Sequence, residues 1–117
     1  MDAMQILKVL ADDTRLRMLK LLQTRTLCVC ELQGALKLNQ SNASRHLSRM
    51  KEANLVCQEK NGQWIYYGLN QAVLTAFPFI GEILAQALID DLVLAEAEKI
   101  VQEYQVEGNP CTRSGNS

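Results

Sequence analysis

The chain carries four cysteines, and two of them, Cys28 and Cys30, are one residue apart in Leu27-Cys28-Val29-Cys30-Glu31-Leu32. Thiolates favour soft, thiophilic ions. The same pair also suits a redox or reactive-sulfur switch, and a free cysteine is otherwise a small buried hydrophobe. Spacing constrains the metal chemistry. Two positions apart on a helix lie about 200° apart, on opposite sides. Both sulfurs therefore reach one ion only if they precede the first helical turn or if binding unwinds that turn, and the second is the expectation. A third sulfur has two sources in the chain. Cys111 near the C-terminus is preferred, and Cys57, opposite Val56 in an alternating stretch, is expected to be structural. An exogenous thiol or water, or no third ligand, are the remaining options. His46, the single histidine, sits at the edge of an apolar face and reads as a packing or phosphate-contacting residue.

The elements around this pair form a second chemical feature. Residues 29–36 read as a helix with Leu32, Ala35 and Leu36 inward. A tight turn follows at residues 37–40, and Ser41 is placed to cap a further helix running to about residue 53. Two short helices joined so closely read as a helix-turn-helix. On a helical wheel, Ala43, Leu47 and Met50 share one side. Ser41, Arg45 and Ser48 lie opposite, flanked by Ser44 and Arg49. Short polar side chains allow close approach to a major groove. Gln40 and Asn42 can read base edges, and arginine reaches guanine or phosphate.

Residues 55–60 and 63–69 are strand-like, the second rich in strand formers at Trp64, Ile65, Tyr66 and Tyr67. Asn61-Gly62 between them is a strong hairpin signal. A hairpin after a helix-turn-helix makes a wing, and Lys60, Asn61 and Gln63 at its tip are candidate contacts to backbone or minor groove.

Upstream, apolar residues at 4, 6, 7, 9 and 10 predict a short helix. Asp12 is an N-cap for a helix over residues 13–23, whose buried stripe is Leu16, Met18, Leu19 and Leu22, with Arg15 and Arg17 outside or at the edge. Downstream, residues 70–77 read as a helical turn and Pro78 opens another helix. No Gly or Pro interrupts residues 82–106, which predicts one long helix. Its apolar residues exceed one buried face, which suggests a dimer interface shared with the first helix. Residues 1–107 form one domain in this reading, and residues 108–117 a flexible tail.

Composition bounds the function. At 117 residues with 48% apolar content, the chain suits a single packed domain. It has no apolar run long enough to span a bilayer and no signal-peptide layout, so a cytoplasmic protein without membrane contact is expected, its cysteines free thiols or ligands. The net charge is only −1, but residues 1–69 hold ten Lys/Arg against six Asp/Glu, and residues 70–117 two against seven. A basic half and an acidic half fit a nucleic-acid partner better than the total does. No Gly-rich loop, carboxylate pair or base suggests an enzyme.

Four motifs stand in the order seen in the ArsR/SmtB repressors: Ala11-Asp12-Asp13-Thr14-Arg15-Leu16-Arg17, Leu27-Cys28-Val29-Cys30-Glu31-Leu32, Gln40-Ser41-Asn42-Ala43-Ser44-Arg45-His46-Leu47 and Gly62-Gln63-Trp64-Ile65-Tyr66-Tyr67. The chain resembles that family over roughly residues 3–105. The resemblance implies a homodimeric winged-helix repressor, mainly α with a small β-hairpin, that leaves its operator on binding a metal or metalloid. The Cys-Val-Cys signature resembles the arsenite- and antimonite-responsive members, and Cd(II)/Pb(II) sensors use a similar pair. Arsenical-type members often carry a further cysteine three positions on, where this chain has Gln33. Zinc-type members use acids and histidine on the last helix. Asp90, Asp91, Glu96, Glu98 and Glu103 occur here without histidine, so no helical zinc site is expected and those acids read as solvated. A two-fold dimer implies an imperfectly palindromic operator. The competing reading from a different class is a dimeric protein-interaction module without DNA binding.

Overall fold

The computed structural model describes residues 2–104. The tail expected over residues 108–117, the domain boundary before it and Cys111 lie outside the described residues. Seven helices and three strands are present among the described residues: α1 (Ala3–Leu10), α2 (Asp13–Leu22), β1 (Leu27–Cys28), α3 (Val29–Leu36), α4 (Gln40–Glu52), β2 (Val56–Asn61), β3 (Trp64–Leu69), α5 (Gln71–Ala76), α6 (Phe79–Gln86) and α7 (Leu92–Gln102).

Local chemistry explains most helix starts. Asp2 and Gln5 close a capping box on α1, and Asp12 caps α2 by accepting from the Arg15 N–H at 3.0 Å. Each satisfies amide donors that the first turn leaves free. The cap of α4 is Asn39, which accepts from the Asn42 N–H at 2.8 Å. Ser41, expected to cap this helix, lies instead within its first turn. The shift follows from Lys37, whose left-handed backbone (φ 58°, ψ 48°) closes α3 abruptly and lets α4 start sooner.

The sheet has the order β1-β3-β2, all antiparallel. Its hairpin turns one residue later than Asn61-Gly62 predicts. Asn61 pairs with Trp64, leaving Gly62 and Gln63 as the two loop residues, and Gly62 takes φ +66°, the sign the first position of a tight hairpin turn needs. Strand β1 was not foreseen. Its two residues pair with Tyr67 and Tyr66, and so short a strand has no period to read.

The core gathers Ile6 and Leu10 of α1, Met18, Leu19, Leu21 and Leu22 of α2, Leu32 of α3, Ala43, Leu47 and Met50 of α4, and Leu94, Ala97 and Val101 of α7. Leu21 joins the α2 stripe, whereas Leu16 is only partly buried against it. The α4 stripe of Ala43, Leu47 and Met50 is wholly buried, each at 0% exposure. Burying a leucine-sized side chain contributes about 1.5–3 kcal/mol, enough to fix which face α4 turns outward.

The expected long C-terminal helix is two. Helix α6 ends at Gln86, Leu88 takes a left-handed φ of 56°, and Asp91 caps a new helix by accepting from the Leu94 N–H at 2.7 Å. Helix α2 holds the break from the side. Lys20 Nζ donates to the Ala87 carbonyl at 2.6 Å, and Arg17 grips Asp91 through two bonds of 2.9 and 2.8 Å. Asp91 is therefore not a solvated acid. Its carboxyl is held down to about 2, mainly by the Arg17 hydrogen bond and then by the Leu94 N–H. No described helix is long and apolar enough to cross a membrane.

Candidate nucleic-acid interface and thiol site

Burial of Ala43, Leu47 and Met50 forces the opposite side of α4 into solvent. Gln40, Ser41, Ser44, Arg45, Ser48 and Arg49 are exposed there, and Asn42 is half-buried. Arg45 Nη2 donates to Asn42 Oδ1 at 2.8 Å, which orients the guanidinium along the helix surface. Lys60, Asn61 and Gln63 at the hairpin tip are exposed as well. All ten residues singled out for nucleic-acid contact thus lie on or at the edge of the surface.

His46 sits at the rim of this face. Its Nδ1 lies 3.2 Å from Arg15 Nη1, and Arg15 also donates through Nε to the Val9 carbonyl at 2.6 Å. The Arg15 side chain is only 12% exposed, so it is a tether between α1, α2 and α4 rather than an edge residue. Burial is the largest influence on His46 and favours its neutral form; Asp12 opposes it, and Arg15, Arg45 and Arg49 reinforce it.

The thiol pair occupies the junction of β1 and α3. Cys28 is the N-cap of α3, with extended backbone (φ −86°, ψ 169°), and Cys30 is two residues further, inside the first turn. The 200° constraint of a continuous helix does not apply, because Cys28 is outside the helix. Cys28 is buried at 6% exposure, and Cys30 is exposed. Both are free thiols.

Glu31 completes this cap. Its Oε1 accepts from the Cys28 N–H at 3.0 Å, and the Cys28 sulfur faces the Glu31 N–H where a serine or threonine hydroxyl would sit. Burial pushes the Cys28 thiol up, and the Glu31 charge adds to that against the pull of the Glu31 N–H. The signal for Glu31 was in the sequence, since Cys28-x-x-Glu31 is a capping box with sulfur in place of oxygen.

Both cysteines open onto one cavity of about 460 Å³, lined also by Val29, Gln33, Gln40, Gln63, Trp64 and Ile65. It joins three elements: the start of α3, the first residue of the exposed helix α4, and the tip of the hairpin. Gln33 faces the same space, so the position where a third sulfur was expected is spatially apt but chemically filled by an amide. Trp64 and Ile65 are 45% and 38% exposed, an unusual placement for large apolar residues. Their role was missed because strand alternation does not say what a side chain faces. No group of three or more Cys, His, Asp or Glu side chains converges among the described residues. The described donor set is two sulfurs.

A helix-turn-helix formed by α3 and α4, followed by a β2–β3 wing and buttressed by α1, α2 and α7, defines a winged helix-turn-helix regulator. The profile described as "Bacterial regulatory protein, arsR family" matches residues 12–57. The arsenical resistance operon repressor of Escherichia coli is 36% identical over 97 residues, covering 82% of this chain and 76% of that protein. The arsenic resistance transcriptional regulator of Pseudomonas putida is 48% identical over 69 residues, 58% of this chain and 54% of that protein. This chain thus matches only about half the length of the second relative. Among solved structures, a homodimeric winged helix-turn-helix DNA-binding domain from Mycobacterium bovis, a possible ArsR-family regulator, superposes with a TM-score of 0.62 at 27% identity, over 73% of this chain and 80% of that one. The chain belongs to the arsR family of bacterial regulatory proteins. Its relatives are transcriptional regulators, not enzymes.

Proposed function

We propose that this chain is a homodimeric transcriptional repressor that leaves an imperfectly palindromic operator when As(III) or Sb(III) is captured by Cys28 and Cys30. The observation that carries this reading is the shared cavity, in which the two free thiols adjoin Gln40 of the reading helix and Gln63 of the wing. Arsenous acid exchanges each of two hydroxyls for a thiol sulfur. Two As–S bonds form, two As–O bonds break, each thiol proton leaves in a water, and no electron is transferred. Cys111 is the proposed third sulfur, exchanging for the last hydroxyl in the same way, with its proton leaving in a third water.

Cys28 is buried and Cys30 exposed, so bridging them displaces the start of α3. Helix α4 packs on α3 and moves with it. Two half-site helices then lose the spacing that a two-fold operator demands. Gln40, Ser41, Asn42, Ser44, Arg45, Ser48 and Arg49 enter the major groove in this reading, with Lys60, Asn61 and Gln63 on the flanking backbone. The exposed apolar residues Met4 and Leu7 of α1, Ile89 just before α7, and Leu92 and Val93 in its first turn supply the dimer surface. The relatives' names as arsenic and arsenical resistance regulators support the choice of inducer, and the thiol pair also suits Cd(II) or Pb(II).

The deciding experiment is a gel shift on DNA upstream of the gene with As(III), Sb(III), Cd(II), Pb(II) or Zn(II). Cys28→Ser, Cys30→Ser, Cys57→Ser and Cys111→Ser are tested in parallel. Release by As(III) and Sb(III), abolished in the Cys28, Cys30 and Cys111 variants, is expected. Equal operator affinity with and without As(III) would sink the reading. A disulfide or polysulfide adduct in place of As(III) on mass spectrometry would replace it with a redox switch.

A further inference from the structure

The thiol pair is flanked by Glu31, whose carboxylate accepts from the Cys28 N–H at 3.0 Å. We infer that Glu31 is the positioning residue of the pair: by accepting from the Cys28 N–H it holds Cys28 as the N-cap of α3 with its sulfur buried, so capture by both sulfurs requires that bond to break. This rests on the reading of Cys28 and Cys30 as the capture site.

Three observations converge on it. The bond is direct, at 3.0 Å, and its acceptor is a carboxylate; charge-assisted bonds of this type are about twice as strong as neutral ones. It pins a buried thiol beside an exposed one, Cys28 against Cys30. The same residue is also approached from the far side. Tyr104, just after α7, lies with its Oη 3.5 Å from the Glu31 carbonyl, and a side chain at Gly34 would meet that hydroxyl at 3.3 Å. The first turn of α3 is thus confined between the thiol cap and the C-terminal end of α7.

The consequence is an ordered response. An incoming thiophile meets Cys30 first, because Cys30 is the accessible sulfur. The second bond, to Cys28, forms only as the N-cap opens and Glu31 lets go.

The test uses the full chain without metalloid or DNA. N-ethylmaleimide labelling of Cys28 and Cys30 is followed residue by residue by mass spectrometry at one neutral pH, in wild type, Glu31→Gln and Glu31→Ala. Glu31→Gln keeps an acceptor for the N–H but not its charge, a bond about half as strong, so Cys28 labelling should speed up about threefold. Glu31→Ala removes both, and Cys28 labelling should speed up about tenfold, the factor that release of one such hydrogen bond permits. Cys30, already exposed, should label at an unchanged rate in all three and serves as the internal control. A Cys28 rate equal to wild type in Glu31→Ala, or, if that variant does not fold, in Glu31→Gln, overturns the assignment. Because the probe is neither inducer nor operator, failure here is separate from a gel shift that ignores As(III).

Discussion

Arg15 Nη1 lies 3.2 Å from Nδ1 of His46, joining the helix before the helix-turn-helix to the rim of its reading helix. A guanidinium can only donate, so Nδ1 is the acceptor and the His46 proton sits on Nε2. Protonating His46 turns this contact into a clash of two cations. The folded chain holds the His46 pKa below its ordinary value of 6.5, chiefly by burial. The stability this gives is full above the unfolded value and lost as pH falls through the lower folded value. Urea unfolding midpoints should therefore fall as the solution is acidified below about 6.5, and His46→Gln should flatten that limb. Arg15→Ala, which also frees the Val9 carbonyl, should cost roughly 1.5–3 kcal/mol. Arg15→Lys should recover little of this, since lysine lacks the fork that reaches both partners.

A second pH window lies lower. Asp91 is held down to about 2 by Arg17 and its helix-capping bonds. A depressed carboxylate contributes its stability above the unfolded value of 3.8 and loses it as pH falls towards 2. Asp91→Asn should reduce the slope of stability between those two values and lower the thermal midpoint at neutral pH. Circular dichroism melts across that range would show it; an unchanged slope would mean that the ion pair does not form in solution.

Arg45 and Arg49 are exposed beside the serine-rich stripe of α4. If each neutralises one phosphate, removing either guanidinium takes about one from the slope of log affinity against log salt. Arg45→Ala with Arg49→Ala should reduce that slope by about two per protomer and weaken cognate and unrelated DNA alike. Fluorescence anisotropy at a series of salt concentrations reads this directly. Weakening confined to one sequence would instead assign these arginines to bases.

Leu92 is 83% exposed and Ile89 72%, and an interface over them would remove that apolar surface from water. Leu92→Glu should shift the chain from dimer to monomer in sedimentation equilibrium. It should also make operator affinity fall steeply with protein dilution, since two half-sites are then bound independently. A wild-type chain that sediments as a monomer at micromolar concentration would remove Leu92 from any interface.

The reading helix was legible in the sequence because its evidence is local. Ala43, Leu47 and Met50 recur at helical spacing, and their burial leaves Ser41, Arg45 and Ser48 no other place than solvent. The bounds of α3 and the existence of the hairpin were legible for the same reason. The long C-terminal helix was not, because what breaks it comes from elsewhere. Arg17 reaches Asp91 across 74 residues of sequence, and Lys20 takes the Ala87 carbonyl. A propensity summed along residues 82–106 contains neither.

The Cys28/Cys30 pair divides in the same way. Its chemistry, two thiols one residue apart, belongs to the sequence alone, as does the absence of a sulfur at Gln33. Which of the two is buried, and that both open towards Gln40 and Trp64, was decided by the tertiary structure. Strand β1 pairs with β3 only after the chain has returned through α3, α4 and the hairpin. That pairing places Cys28 at the end of an extended segment, where the helix begins one residue later. Side-chain type is a property of each residue, but exposure and neighbours are set by contacts between segments distant in sequence, and these form only when the core closes.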